Sequence, residues 1–288
     1  MSQKQSSFYP SILQGWGIVG IFLIVSIFVS IVTSGFEGVL DKGLILFITY
    51  LFAMGIPLGI IYSVRKKKTG ITSFNFKLDY LVIVPVLFFV TLGLQLGLIG
   101  PITDLIPMPE EFVTFFKELM GDKDIYNFLT VVIAAPILEE LIFRGLILDG
   151  FLKRYSPTKA ILFSSMFFGI IHFNPWQFVA AMILGCFIGW VYLKTKSVSY
   201  GIIIHMINNG CAFAIMMFIS EDQMNLTGPE LYGGSTNYVI IIIGSLLVTG
   251  VGLYYLSKYF KETVPPITWK EDAIDDFDSE IGNTTTVE

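Results

Sequence analysis

Apolar residues run along the chain in blocks about 20 long, parted by short polar stretches, with neither the alternation of an amphipathic strand nor the one-sided stripe of a surface helix. The blocks fall at residues 16–35, 43–63, 80–100, 127–148, 159–173, 176–194, 199–219 and 237–257. A helix of about 20 apolar residues crosses the hydrocarbon of a bilayer, so the pattern predicts eight transmembrane helices. The fifth block, "KAILFSSMFFGIIHF", is short for a full crossing and is open to a re-entrant reading. Between the third and fourth blocks, "MPEEFVTFFKELMG" (108–121) predicts a short helix. Pro109 suits its first turn, Glu110 and Glu111 suit the positive end of its dipole, and Phe112, Phe115, Phe116 and Leu119 share one face. That face fits the membrane surface or an ordinary packed connector equally.

Composition sharpens this into a membrane class. Hydrophobic residues make up 54% of the chain and charged ones 14%, where soluble domains carry about 25% charged residues. The mean hydropathy is +0.72. Threading eight spans with both ends in the cytoplasm puts 14 of the 18 Lys and Arg residues on the inner side. Only Lys42, Lys117 and Lys123 lie outside, and Arg144 lies within the membrane. That is the expected positive-inside bias. Removing the fifth span would put Lys194 and Lys196 outside, so it is kept. The N-terminal block is full length, has one flanking Lys and lacks a small-residue cleavage site, so it reads as a span and not a cleaved signal. Residues 1–262 are expected to form one membrane domain, and the acidic stretch 263–288 a disordered cytoplasmic tail. Cys186 and Cys211 fall within spans and read as apolar packing residues. The net charge of −5 and the topological origin of the basic loops give no reason to expect nucleic acid. "NLT" at 225–227 matches a glycosylation sequon in an outer loop, a pattern that chance often produces.

Against this background the stretch "APILEELIFRG" (135–145) stands out, because it places Glu139, Glu140 and Arg144 in the fourth block. Glu140 and Arg144 are four apart and can pair on one helix face. Glu139 points about 100° away and has no cationic partner on its own helix. Pro136 loosens the backbone one turn before it. An intramembrane carboxylate without a local partner marks a functional site. The two histidines of the chain, His172 in "FFGIIHF" and His205 in "IIIHMINNG", also fall in spans, and Asn209 shares a face with His205. Counting about 1.5 Å per residue from the inner ends puts Glu139, His205, Asn209 and His172 at depths of roughly 13, 9, 15 and 20 Å, so the four can meet in one pocket.

A carboxylate that takes a proton from water, an imidazole that holds the water, and an imidazole with an amide that donate to an oxyanion make a complete set for amide hydrolysis without a covalent intermediate. No Ser or Cys has an evident partner base. Glu-Glu-x-x-x-Arg, Phe-x-x-x-His and His-x-x-x-Asn, in that order on spans four, five and seven, resemble the CAAX protease and bacteriocin-processing (CPBP, Abi-type) intramembrane endopeptidases, relatives of the Ras-converting CAAX endopeptidases. The resemblance is specific over about residues 127–220.

It implies an all-α polytopic fold with eight helices around a polar cavity. It makes Glu139 the base, gives His172 a share in the water, assigns the oxyanion site to His205 and Asn209, and leaves Glu140 and Arg144 in support. Implied partners are the lipid bilayer and a membrane-associated protein or peptide, a prenylated CAAX protein, a pheromone or a bacteriocin. No cofactor is expected. Zinc on Glu139, His172 and His205 is the alternative mechanism, and a non-enzymatic transporter or scaffold the alternative class. Transporters often carry internal repeats, and none is visible here.

Overall fold

The computed structural model describes residues 8–114, 124–218, 223 and 226–269. Among them the chain is helical, with no strand beyond a single bridge between Glu37 and Leu40. The helices are numbered in chain order. They are α1 (Ile12–Ser34), α2 (Lys42–Thr69), α3 (Leu81–Thr103), α4 (125–154), α5 (Pro157–Ile170), α6 (Pro175–Thr195), α7 (Val198–Phe218) and α8 (Ser235–Thr263).

Among the described residues six of these, all but α4 and α5, are long and apolar enough to cross a membrane, and the chain is an integral membrane protein. The other two depart from the simple pattern for separate reasons. α4 carries Glu139, Glu140, Arg144 and Asp149. α5, with 14 residues, is about 21 Å long, short of a hydrocarbon core of about 30 Å.

The ends follow local chemistry. Ser11 and Gln14 form a capping box at the start of α1, and the Asn174 side chain caps α6 ahead of Pro175. α2 ends where Gly70 takes a left-handed conformation (φ 72°). It runs six residues past the apolar block, so Arg65 lies within the helix, buried against Asp149, and not in the loop assigned to it by hydropathy. Of the helix expected at 108–121, residues 110–114 are helical and Phe112 packs on Trp176; Phe115, Phe116 and Leu119 lie outside the described residues. So do 270–288 of the expected tail, and Asn225 of the sequon. The stretch 264–269 is described, and Trp269 donates from its indole nitrogen to the Leu193 carbonyl (3.3 Å) and packs on Tyr192. Cys186 and Cys211 are free and half-buried.

α4 is the central helix. Residues 142–152 are all buried, in a core that draws on α1, α2, α5, α6 and α7. Close approach of α5 and α6 depends on small residues. A Cβ at Gly185 would stand 3.0 Å from the Cβ of Ser165 and 3.2 Å from Arg144 Nη2, so glycine lets the helices pack tightly and lets a guanidinium reach the α6 backbone.

Candidate active site

The backbone of α4 is not a regular α-helix. It widens to i→i+5 hydrogen bonding over Leu129–Ala134 and again over Leu141–Leu148, leaving the α-helical turn Ala135–Glu140 between. The Ala135 N–H donates to Thr130 O and the Asp149 N–H to Arg144 O, each five residues back. Such π segments are rare and gather at functional sites. In the first register the next donor, opposite Val131 O, would be residue 136, but Pro136 has no N–H. Asn209 on α7 takes its place, donating from Nδ2 to Val131 O at 2.9 Å. The proline thus fixes α7 to α4 one turn from the two glutamates.

Those glutamates are buried, Glu139 at 5% exposure and Glu140 at 0%, with Arg144 at 1% and His205 at 4%. Glu140 is held as the spacing predicts. Its Oε1 accepts from Arg144 Nη1 at 2.8 Å. The same oxygen lies 3.0 Å from His205 Nδ1. Arg144 also donates to Gly185 O (3.2 Å) and lies over the Phe168 ring (4.8 Å). Glu140 Oε2 and Arg144 Nε have no hydrogen-bond partner.

Glu139 faces elsewhere. Its Oε1 accepts a 2.5 Å hydrogen bond from the hydroxyl of Tyr50 on α2. Its Oε2 has no hydrogen-bond partner and lies 3.7 Å from His205 Nε2. His205 therefore stands between the two carboxylates. Tyr50, Glu139, His205, Glu140 and Arg144 form one polar chain joining α2, α4 and α7. Two carboxylates thus share one buried guanidinium, and isolated buried charge is costly.

His172 lies just past the end of α5, half-buried. Its Nδ1 is 2.8 Å from Phe168 O. A carbonyl only accepts, so Nδ1 carries a proton, and in the neutral ring Nε2 keeps its lone pair. No hydrogen bond or ion pair joins His172 to Glu139 or His205. The Phe168 ring meets both imidazoles edge-on, with centroids 5.2 Å from His172 and 5.6 Å from His205. Asn209 accepts from Asn208 at Oδ1 (3.1 Å) and keeps one Nδ2 proton free of Val131. The structure therefore brings Glu140, Arg144 and His205 into one hydrogen-bonded group, with Glu139 3.7 Å from His205 Nε2 and with His172 and Asn209 set beside it. Among the described residues no three His, Cys, Asp or Glu side chains are grouped as ligands of a metal ion would be.

Tyr50 is the site residue that spacing does not reveal. It sits mid-block in α2, 89 positions from Glu139, with nothing local to mark it. By engaging Oε1 it turns the other carboxylate oxygen toward His205. Tyr50→Phe is expected to lower kcat about 10- to 100-fold with KM little changed. That range corresponds to a hydrogen bond to a charged group, about 1.5–3 kcal/mol. Steady-state kinetics of the purified variant check this, and an unchanged kcat would leave Tyr50 a packing residue.

Residues 121–211 match the protein family described as Type II CAAX prenyl endopeptidase Rce1-like. Over 115 residues the chain is 32% identical to a Bacillus subtilis (strain 168) protein named "Putative membrane peptidase YdiL", a stretch that covers 40% of this chain and 44% of that protein. The match thus spans less than half the length of that relative. No solved structure matches the chain.

Proposed function

We propose that this chain, which matches the Rce1-like family over residues 121–211, is an intramembrane endopeptidase in which Glu139 activates the water that attacks a peptide bond. The observation that carries this reading is Glu139 Oε2. It is a buried carboxylate oxygen without a hydrogen-bond partner, 3.7 Å from His205 Nε2, while Tyr50 holds the other oxygen. Buried acceptors are ordinarily satisfied, and one oriented beside an imidazole suits a general base.

In the proposed reaction water donates to Glu139 Oε2 and is aligned by the free Nε2 of His172. As its oxygen bonds to the substrate carbonyl carbon, its proton passes to Glu139. The oxyanion is met by the Nε2–H of a doubly protonated His205 and by the remaining Nδ2 proton of Asn209. Glu139 then delivers the proton to the leaving amine as the C–N bond breaks. Glu140, itself held by Arg144, keeps His205 oriented. The reading takes the site as a polar cavity open to a peptide from a membrane-associated protein, of the CAAX-processing or peptide-maturation class. Comparing membrane peptides from cells expressing the wild type with those expressing Glu139→Gln tests it. The wild type should produce cleaved termini that the variant does not, and identical peptide sets would refute the assignment.

The proposed route uses no metal. Elemental analysis of the purified active protein is expected to show no stoichiometric zinc, and one zinc per chain, lost with activity in His172→Ala, would replace this mechanism with a metal-assisted one. We further propose that α4 and α5 complete eight membrane crossings with both ends in the cytoplasm, on the charge asymmetry of the loops. Reporter fusions after Lys68, Arg154, Lys196 and Lys258 should all read cytoplasmic. An external signal after Lys196 would break that topology.

A further inference from the structure

The ends of α2, α4 and α6 and the start of α7 enclose a cleft of about 170 Å³, lined among others by Arg65, Asp149, Lys153 and Lys196. It is separate from the Glu139 site, and among the described residues its charges do not balance. Three cations face one carboxylate. Asp149 is already well supplied, since it accepts from Lys153 Nζ at 2.7 Å and from the Tyr192 hydroxyl at 3.3 Å. Arg65 reaches the oxygen that Lys153 holds, but only at 3.5 Å. Arg65 is 3% exposed, its Nη1 has no hydrogen-bond partner, and it stands over the Phe74 ring at 5.4 Å. A guanidinium has five donors in a planar fork. A buried one this short of acceptors suits an oxyanion that can take two donors at once. Among the described residues Lys196 makes no ion pair, and it lies over the Trp269 ring at 5.1 Å, at the edge of the cleft it lines.

We propose that this cleft binds a phosphate group through Arg65, Lys153 and Lys196. Its volume lies below the roughly 300–1,000 Å³ of sites for drug-sized ligands, which favours a compact anion over a peptide. Its position favours the headgroup of an anionic lipid as the source. The last turn of α2, which follows Arg65 directly, carries Lys66, Lys67 and Lys68, and cations flanking a span sit at headgroup level, where anionic lipids gather. Free phosphate offers the same chemistry. The site would tie lipid charge to the junction of α2 with α4, the two helices that hold Tyr50 and Glu139.

The test is the melting temperature of the full-length protein in neutral detergent. One arm adds phosphatidylglycerol against phosphatidylcholine, and the other adds inorganic phosphate against chloride at equal ionic strength. Phosphatidylglycerol is expected to raise the melting temperature by several degrees, Lys196→Gln to cut that rise by half or more, and Lys153→Gln with Lys196→Gln to remove it. Each variant is compared with itself in phosphatidylcholine, so a change in basal stability does not enter. A rise with phosphatidylglycerol alone identifies a lipid site, and a rise with inorganic phosphate as well identifies a general phosphate site. No rise with either, or an equal rise in wild type and Lys196→Gln, overturns the proposal. Neither result bears on Glu139 or on peptide hydrolysis.

Discussion

Glu139→Gln is expected to abolish peptide cleavage while leaving the protein folded. Glutamine keeps the volume of the side chain, and its amide oxygen can still accept from the Tyr50 hydroxyl that now bonds Glu139 Oε1 at 2.5 Å. The amide nitrogen falls where Oε2 faces His205 Nε2 across 3.7 Å. What is lost is the ability to take a proton. A positioned base contributes about 10²–10⁴-fold, and no other carboxylate can stand in, since Glu140 is committed to Arg144 and His205. His172→Ala and His205→Ala should each cost at least ~10²-fold, the range for a lost acid–base or oxyanion group. Single-turnover cleavage in proteoliposomes, on a substrate found from the peptide comparison, checks the rates, and thermal melting checks the fold. Near-normal turnover in Glu139→Gln would show that another group activates the water.

Much of this site can be read from the sequence because charge inside an apolar run is rare. Glu140 and Arg144 are legible from their spacing, since a four-residue step holds two side chains on one face even where the helix widens at Leu141. His205 is legible as a titratable residue in a span, though its place between two carboxylates is not. Tyr50 and Gly185 are invisible for one reason. A tyrosine or a glycine in a membrane helix is ordinary, and its role arises only from a partner brought close by tertiary packing. The Asn209 contact adds another obstacle. Sequence places Asn209 on the face of His205, but its bond to Val131 O depends on the wide backbone register before Pro136, which hydropathy does not encode. The same limit explains Arg65. A window of apolar residues ends α2 where the lysines begin, yet Asp149, 84 positions away, draws Arg65 into the helix and into the core. Hydropathy counts crossings by length, so it accepts α5 on the evidence of neighbouring charges while the helix itself measures 14 residues.

Arg144→Ala should fail in the opposite way to Glu139→Gln, by losing stability first. The guanidinium is fully enclosed and holds three groups at once: Glu140 Oε1 at 2.8 Å, Gly185 O at 3.2 Å and the face of Phe168 at 4.8 Å. Alanine removes all three and leaves a cavity beneath Phe168. Among the described residues it also leaves Glu140 with His205 as its only hydrogen-bonding partner, beside a second carboxylate. Removing one member of a buried pair costs about 3–5 kcal/mol, because the remaining charge is uncompensated. For a chain of this size that is a fall in melting temperature on the order of 10 °C. The cause can be separated from the cavity by removing the charge as well. Glu140→Gln combined with Arg144→Met keeps most of the volume and leaves no orphaned carboxylate, so it should melt above Arg144→Ala alone, since replacing both partners of a buried pair is far milder than breaking it. Activity should not return in the double variant, because His205 then loses the carboxylate that orients it. Thermal melting of the three proteins in one detergent decides the matter. An Arg144→Ala protein as stable as the wild type would mean that the Glu140–Arg144 pair contributes nothing to the fold.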